Sequence, residues 1–364
     1  MEAISSLPTL HWHPHPHHRP LPSHTTRTSV PTPLGDLELL ISQLAHASPT
    51  APALFFAHGG YGSACVWLDW LSYLHSTGYG GTMYAFSVRN HGASYGVEYA
   101  RMVYGTNLED VVSDLGSCLG FAVERERKAG REGEVVVVGH SSGGGLVQFA
   151  LLNGIIKCRA LCLVDSVPHF GALPVYANWA RHDPWFLLRN IFHLQHPTSP
   201  LSSDRLVHGA FFGSSFPRSA IAEFRKWMPG YETMGWPMGM MGSFWAWCCG
   251  RPEWLDVEKI VRNVSGCQSS VRKDSICVMV GSQDVLMDLG MCKKQVAEYR
   301  EVLVREQAEE KVKVVAADES IEGVRMESDA GVRLVMVDGA GHHLQNDVQR
   351  DKGAEALLKF VQQC

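Results

Sequence analysis

The stretch from Val135 to Leu146 constrains this chain more than any other part of its sequence. It consists of four valines, then Gly-x-Ser-x-Gly over residues 139–143, then an apolar run. Consecutive β-branched residues predict a buried strand, and the glycine-flanked serine followed by apolar residues predicts a sharp turn into a helix. A serine on such a turn is exposed at the end of a sheet, within reach of a base. The segment therefore predicts an α/β fold and identifies Ser141 as a candidate nucleophile.

The same turn predicts half of an oxyanion hole. Ser142 would begin the helix, where backbone N–H groups lack intrahelical partners and the helix dipole favours negative charge. A second N–H donor is expected from the His-Gly-Gly loop that follows the apolar run 52–57. Gly60 is the preferred donor in this loop and Tyr61 the next. The alternative for the loop is an ordinary glycine-rich turn.

An acid and a base follow the nucleophile along the chain, each directly after an apolar run. Asp284 comes after the run 275–281, and His342 comes after the run 332–337 in a glycine-rich loop. We predict that His342 takes the proton of Ser141 during attack and returns it to the leaving group, while Asp284 orients the imidazole ring.

Two alternatives stay open for these roles. Asp165 follows another apolar run, residues 161–164, and competes with Asp284 as the acid; Asp284 is preferred. Asp284 could also be a simple turn residue after its strand. His343 competes with His342, and the Gly-x-Gly-His spacing favours His342.

Several motifs recur in one order and resemble the α/β-hydrolase superfamily. They are His58-Gly59-Gly60, Arg89-Asn90-His91-Gly92-x-Ser94, Gly139-His140-Ser141-Ser142-Gly143, Gly281-x-x-Asp284 and Gly341-His342. The resemblance covers residues 35–362 and implies a mostly parallel central sheet flanked by helices, with an inserted helical lid. It points to the lidded branch that includes esterases, lipases, carbon–carbon bond hydrolases and epoxide hydrolases. A serine at position 141 argues against the epoxide hydrolase and dehalogenase branches, which use aspartate there.

Two details qualify this resemblance. Residues 339–345 are similar to fungal members of the superfamily, which are often associated with secondary metabolism. The separation between Asp284 and His342 is longer than is usual in the superfamily. We expect the charged residues 305–329 to form a surface insertion that accounts for the extra length.

The resemblance and the pattern of apolar runs together divide the chain into three parts. Residues 1–34, rich in proline and threonine, are predicted to be an extended lead-in; residues 35–168 and 264–364 to form the core; and residues 169–263 to form the lid. The predicted lid holds seven of the ten tryptophans in the chain: Trp179, Trp185, Trp227, Trp236, Trp245, Trp247 and Trp254.

A methionine-rich stretch within the predicted lid, residues 228–241, carries glycines and prolines that oppose a long helix. Its thioethers offer adaptable apolar surface, so we expect part of it to line a substrate pocket. The residues predicted to line the pocket are Tyr61, His140, Met234, Trp236 and Met238.

Composition excludes several classes of protein. The chain has 364 residues, a net charge of −5 and 45% hydrophobic residues, which is typical of a globular domain and not of a nucleic-acid-binding protein. No apolar run is long enough to span a bilayer, and residues 1–7 lack the pattern of a secretory signal. The ten cysteines show no metal-site spacing and are expected to be reduced. We therefore expect a cytoplasmic protein without an integral membrane segment.

A histidine-rich stretch over residues 11–18 could bind a metal in principle, but its alternating prolines prevent helical ligand spacing, and we predict no metal and no cofactor. The sequence thus favours a serine hydrolase that cleaves an ester, thioester or lactone of an apolar small molecule. One alternative is a carbon–carbon bond hydrolase or a non-hydrolytic cyclase or lyase using the same residues. The other is a ligand-binding protein of negligible turnover, since fold alone does not establish activity. The oligomeric state is open.

Overall fold

A computed structural model describes residues 17–45, 48, 50–131, 133–242, 254–268, 274–307 and 320–364. Its strands are β1 (Thr25–Thr32), β2 (Gly35–Ser42), β3 (Ala53–Ala57), β4 (Met83–Phe86), β5 (Val135–His140), β6 (Ala160–Val164), β7 (Ile276–Gly281), β8 (Val324–Asp329) and β9 (Val332–Val337). They form one nine-stranded sheet in the order β1-β2-β4-β3-β5-β6-β7-β9-β8.

The centre of this sheet is parallel, as predicted. Strands β4, β3, β5, β6, β7 and β9 pair in parallel, while β1 and β2 at one edge and β8 at the other run antiparallel to their neighbours. Parallel strands covered on both faces are apolar throughout, which explains why the valines 135–138 are all buried. The carboxyl ends of the central strands meet at one edge, where the loops that carry the candidate residues begin.

Helices cover both faces of the sheet. The helices are α1 (Leu68–Ser76), α2 (Leu108–Lys128), α3 (Ser142–Leu152), α4 (Leu173–His182), α5 (Phe186–Phe192), α6 (Asp204–Phe211), α7 (Ile221–Arg225), α8 (Gly235–Gly239), α9 (Val257–Arg262), α10 (Leu289–Gln307) and α11 (Arg350–Val361). Helices α2, α3, α9 and α10 share a buried apolar cluster with one face of the sheet. Helices α1 and α11 share a second cluster with the opposite face.

The chain between β6 and β7, residues 165–275, breaks the alternation of strand and helix. We call it the β6–β7 insertion. It contains the short helices α4 to α9, and part of it has an apolar cluster of its own that includes Trp179, Phe186, Phe211 and Phe224. Trp245 and Trp247, which are predicted to belong to the lid, are outside the described residues. The insertion is therefore packed in two ways: α9 and Trp236 join the cluster on one face of the sheet, whereas α4 to α7 contribute to this further cluster.

The sheet begins earlier than predicted. Thr25–Thr32, which was assigned to an extended lead-in, pairs along its whole length with β2. The side chains of β1 are mostly polar, and only those of Thr25 and Val30 are buried, because β1 is an edge strand. An edge strand also tolerates Pro31. The low hydrophobicity of the segment and its proline both argue against a strand in the sequence.

The charged segment 305–329 is partly regular structure. Its first residues end α10, and its last residues form edge strand β8, whose side chains alternate between half-buried and exposed. Residues 308–319, which connect α10 to β8, lie outside the described part of the chain. The same is true of residues 11–16 in the histidine-rich stretch.

Candidate active site

The turn between β5 and α3 holds Ser141 in an unusual backbone conformation, with φ 52° and ψ −127°. A non-glycine residue with positive φ is strained, and such strain is concentrated at functional sites. The flanking glycines make the turn possible: a Cβ at Gly143 would lie 2.1 Å from the carbonyl oxygen of His58, and one at Gly139 would lie 2.6 Å from the Cα of Gly144. The sharp strand-to-helix turn predicted from the sequence is therefore present.

Three of the predicted side chains are hydrogen-bonded in series. His342 Nε2 lies 2.9 Å from the Oγ of Ser141, and His342 Nδ1 lies 2.8 Å from the Oδ2 of Asp284. The Oδ1 of Asp284 accepts N–H bonds from Leu286 at 2.7 Å and Met287 at 2.9 Å. A carboxylate facing Nδ1 places the ring proton there, so Nε2 is left to accept the proton of the serine hydroxyl.

The competing acid, Asp165, lies next to this series but has a different partner. It is fully buried, and its Oδ1 accepts the N–H of Gly281 at 2.9 Å. Burial, together with the nearby carboxylate of Asp284, raises the pKa of Asp165 well above its usual value. A protonated carboxylic acid in this position is a neutral neighbour of Asp284 rather than the charged partner of a histidine.

The competing histidine, His343, has a packing role. Its backbone N–H donates to the carbonyl of Phe211 at 2.7 Å, and its ring packs edge-on against His140 and Phe224. Burial and the neighbouring His342 lower the pKa of His343 to about 3, so the ring is neutral.

The loop after β3 carries Gly60, the preferred N–H donor of this loop, and Tyr61, its alternative; both line the same cavity as Ser141, and each N–H already has an acceptor. The N–H of Gly60 donates to the Oγ of Ser142 at 2.7 Å, and the N–H of Tyr61 donates to the Oε2 of Glu232 at 2.9 Å. Tyr61 has φ 60° and is therefore a second strained non-glycine residue in the site. Its hydroxyl donates to the carbonyl of Pro197 in the β6–β7 insertion.

Glu232 and His91 form a buried ion pair that sequence reasoning missed. His91 Nε2 lies 3.0 Å from Glu232 Oε2, and the side chains are 0% and 5% exposed. Burial opposes both charges, but their mutual attraction and hydrogen bonds outweigh it, so the pKa of His91 is raised and that of Glu232 is lowered. One signal could have found the pair: Glu232 is the one acidic residue in the methionine-rich stretch 228–241.

A cavity of about 500 Å³ opens onto Ser141 and His342. Four of the five residues predicted to line it do so: Tyr61, Met234, Trp236 and Met238. Further apolar lining comes from the β6–β7 insertion, including Val175, Trp179, Phe186, Leu187 and Ile191. A second cavity of about 580 Å³ lies wholly within that insertion and does not reach the nucleophile.

His140 was predicted to line the cavity but lies behind it. It is the last residue of β5, and side chains alternate along a strand, so it shares the face of Val136 and Val138 that packs under α1. Its Nε2 donates to the carbonyl of His342 at 2.9 Å, and its ring meets Trp67 edge-on. Burial and neighbouring imidazoles hold the pKa of His140 well below its usual value.

Among the described residues, no group of three or more His, Cys, Asp or Glu side chains is arranged to hold a metal ion. Within the same residues, no helix is long and apolar enough to cross a membrane. The cysteines in this part of the chain, including Cys162 and Cys277 in neighbouring strands, are free thiols.

Comparison with models of known protein families identifies the family of this chain. The family model described as "Alpha/beta hydrolase family" matches residues 54–356, which is most of the chain. This protein therefore belongs to the alpha/beta hydrolase family. A comparison with curated proteins gave no match.

Solved structures share the fold over nearly the whole chain. A carboxylesterase from Bacillus subtilis has a TM-score of 0.52 at 14% identity, covering 93% of this chain and 92% of its own. A thermophilic esterase from Thermogutta terrifontis, solved with malate bound, has a TM-score of 0.54 at 15% identity, covering 93% of this chain and 98% of its own. At such identities the likeness establishes the fold, while activity has to be argued from the site.

Proposed function

We propose that this protein is a serine hydrolase that cleaves an ester, thioester or lactone of an apolar small molecule through an acyl intermediate on Ser141. The observation that carries the proposal is the hydrogen-bonded series of Ser141, His342 and Asp284 at the floor of an apolar cavity. Membership of the alpha/beta hydrolase family supports hydrolase activity.

The geometry supports a two-stage reaction. His342 Nε2 takes the proton of the Ser141 hydroxyl as its oxygen attacks the substrate carbonyl, and Asp284 stabilises the imidazolium that forms. The N–H groups of Ser142 and Gly60 would stabilise the negative oxygen of the tetrahedral intermediate. Collapse breaks the bond to the leaving group, which takes the proton from His342. Water, activated by the same imidazole, then releases the acid product and restores Ser141.

The cavity supports an apolar acyl group of moderate size. Its lining is dominated by aliphatic, aromatic and methionine side chains, many of them from the β6–β7 insertion. We assign residues 169–263 within this insertion the role of a lid that shields the nucleophile from bulk water, and the lining residues Val175, Trp179 and Phe186 support this role. Exclusion of water strengthens the electrostatic stabilisation of the intermediate.

Hydrolysis of a series of p-nitrophenyl esters, from acetyl to palmitoyl, tests the proposal. We expect release of p-nitrophenol with an optimum at intermediate chain length, and an initial burst where deacylation is slower than acylation. Ser141→Ala should abolish the burst and lower kcat by about 10⁴-fold or more. Ser113→Ala, which changes an exposed serine on α2, is the matched control. No turnover by a folded parent protein on any ester, thioester or lactone would contradict the proposal.

A further inference from the structure

We propose that Glu232 and His91 are a positioning pair through which the β6–β7 insertion fixes the oxyanion loop, residues 58–62. This inference rests on the proposed function and adds to it a residue pair outside the triad. Glu232 is carried by the insertion, His91 by the loop after β4, and Tyr61 by the loop after β3. The single oxygen Oε2 of Glu232 joins all three, because it accepts from Tyr61 N at 2.9 Å and from His91 Nε2 at 3.0 Å.

Hydrogen-bond geometry fixes the charge state of the pair. His91 Nδ1 lies 2.8 Å from the backbone carbonyl of Arg89, which can only accept. Its Nε2 faces a carboxylate oxygen, so both ring nitrogens must carry protons and the ring is an imidazolium. The other oxygen of Glu232 accepts the N–H of Thr233 at 2.9 Å. The carboxylate therefore has three N–H partners, which is the environment of an ionised group.

Other titratable side chains surround the pair without replacing either partner. The ring of His58 lies 5.3 Å from that of His91, and its Nδ1 contacts the carbonyl of Gly59 while its Nε2 accepts the N–H of Val88 at 3.2 Å. That arrangement makes His58 neutral. The phenols of Tyr61 and Tyr176 and the more distant carboxylate of Asp114 also face the pair.

The backbone of Tyr61 explains why the loop needs this support. A tyrosine at φ 60° is strained and keeps this conformation only where its surroundings impose it. Both ends of Tyr61 are held from the β6–β7 insertion, its N–H by Glu232 and its hydroxyl by the carbonyl of Pro197. The N–H of Tyr61 lies in the same peptide plane as the Gly60 carbonyl, and the Gly60 N–H belongs to the preceding peptide. Holding the Tyr61 N–H therefore restricts rotation at the Gly60 Cα, on which the direction of the Gly60 N–H, one of the two proposed oxyanion donors, depends.

The arrangement makes the oxyanion hole depend on docking of the insertion. When Glu232 is in place, Tyr61 is held and the Gly60 N–H is directed at the hydroxyl of Ser142, the neighbour of the nucleophile. Glu232 lines the cavity together with Ser141 and His342, but its hydrogen bonds go to Tyr61, His91 and Thr233. Glu232 therefore acts on the oxyanion through the loop. Its loss should impair stabilisation of the transition state more than binding of the substrate.

The test compares Glu232→Ala, Glu232→Gln, His91→Asn and the double variant Glu232→Gln/His91→Asn on the best ester of the series. The matched control is Glu223→Gln, the same substitution at an exposed lid glutamate paired with Lys226. For each variant, kcat, KM, melting temperature and affinity for an alkyl boronic acid are measured, because a boronate on Ser141 mimics the tetrahedral intermediate.

We expect Glu232→Ala to lower kcat by at least about tenfold with KM changed less than about twofold, and to weaken boronate binding by a similar factor to kcat/KM. Glu232→Gln should lose less, because its amide oxygen can still accept the N–H of Tyr61. The double variant should be no worse than the more severe single variant, since both substitutions break one pair. The control should match the parent.

Three results would overturn the inference. Glu232 variants that fold and keep the parent kcat and boronate affinity would show that the pair does not position the loop, while the proposed function would stand if Ser141→Ala is inactive. A lower melting temperature together with a higher KM, without selective weakening of boronate binding, would assign the pair a structural role only. A parent protein with no turnover of any ester would remove the proposed function and this inference with it.

Discussion

The backbone N–H of Gly60 donates a 2.7 Å hydrogen bond to the Oγ of Ser142, the residue after the nucleophile. The two residues that would stabilise an oxyanion are therefore bonded to each other in the resting structure. An oxyanion must displace the Ser142 hydroxyl before it can receive the Gly60 N–H. The side chain of Ser142 thus competes with the intermediate for one donor.

Ser142→Ala removes this competitor while keeping the Ser142 backbone N–H. A neutral hydrogen bond of this kind is worth about 1 kcal/mol, so we expect kcat to rise by up to about fivefold with KM nearly unchanged. Ester kinetics at saturating substrate check the prediction, with Ser113→Ala as control. A tenfold fall in kcat would mean instead that the Ser142 hydroxyl aligns the Gly60 N–H for catalysis.

The two candidate acids should differ sharply in their contribution to activity. Asp284 hydrogen-bonds His342, whereas Asp165 accepts the N–H of Gly281. We expect Asp284→Asn to lower kcat by about 10⁴-fold, because the ring would lose its charged partner and its correct tautomer. Asp165→Asn should stay within a few-fold of the parent, since an amide replaces a protonated acid of the same shape. Similar large losses in both variants would show that the two carboxyl groups act as a unit.

Asp165 should also make the stability of the protein depend on pH. Its folded pKa is raised, so the folded chain keeps this proton where the unfolded chain, with an aspartate pKa of about 4, has lost it. The free energy of unfolding of the parent should therefore contain a contribution that is full below about pH 4 and declines as pH rises towards the folded pKa.

Urea unfolding of the parent and Asp165→Asn at several pH values measures this contribution. We expect the stability of Asp165→Asn relative to the parent to increase steadily from about pH 4 to neutrality. A difference that does not change with pH would show that Asp165 has the same pKa in the folded and unfolded chains.

Much of the site could be predicted because its chemistry depends on local sequence. The turn at Ser141 requires a strand, close-packed glycines and a helix, and each of these can be recognised in consecutive residues of the sequence. Asp284 and His342 follow buried strands whose carboxyl ends converge by the rules of parallel sheets. The mostly parallel sheet was predictable for the same reason.

Features that depend on contacts between distant segments cannot be recognised in consecutive residues of the sequence. Glu232 and His91 are far apart in the chain, and neither segment indicates the other until the β6–β7 insertion is folded over the sheet. His140 is predicted to line the cavity, but alternation along β5 turns its side chain to the face of the sheet that packs under α1. Edge strand β1 was missed because its exposed, polar alternation resembles an irregular segment.

Trp236 should set the size of acyl group that the cavity accepts. It is 1% exposed and lines the cavity near the nucleophile. Trp236→Leu enlarges the cavity, so we expect the ratio of kcat/KM for long over short acyl esters to rise by about tenfold. Trp227→Leu is the control, because Trp227 packs against the cluster within the insertion and does not line this cavity. An unchanged chain-length preference in Trp236→Leu would place the acyl group elsewhere.

The assignment of Ser141 as the nucleophile is tested most directly by the intact mass of the parent protein and of Ser141→Ala after treatment with a fluorophosphonate. We expect one phosphonyl adduct on the parent and none on Ser141→Ala, because only a serine activated by His342 and Asp284 displaces fluoride readily. An unmodified parent that is folded, or an adduct that persists in Ser141→Ala, would contradict the assignment of Ser141 as the nucleophile.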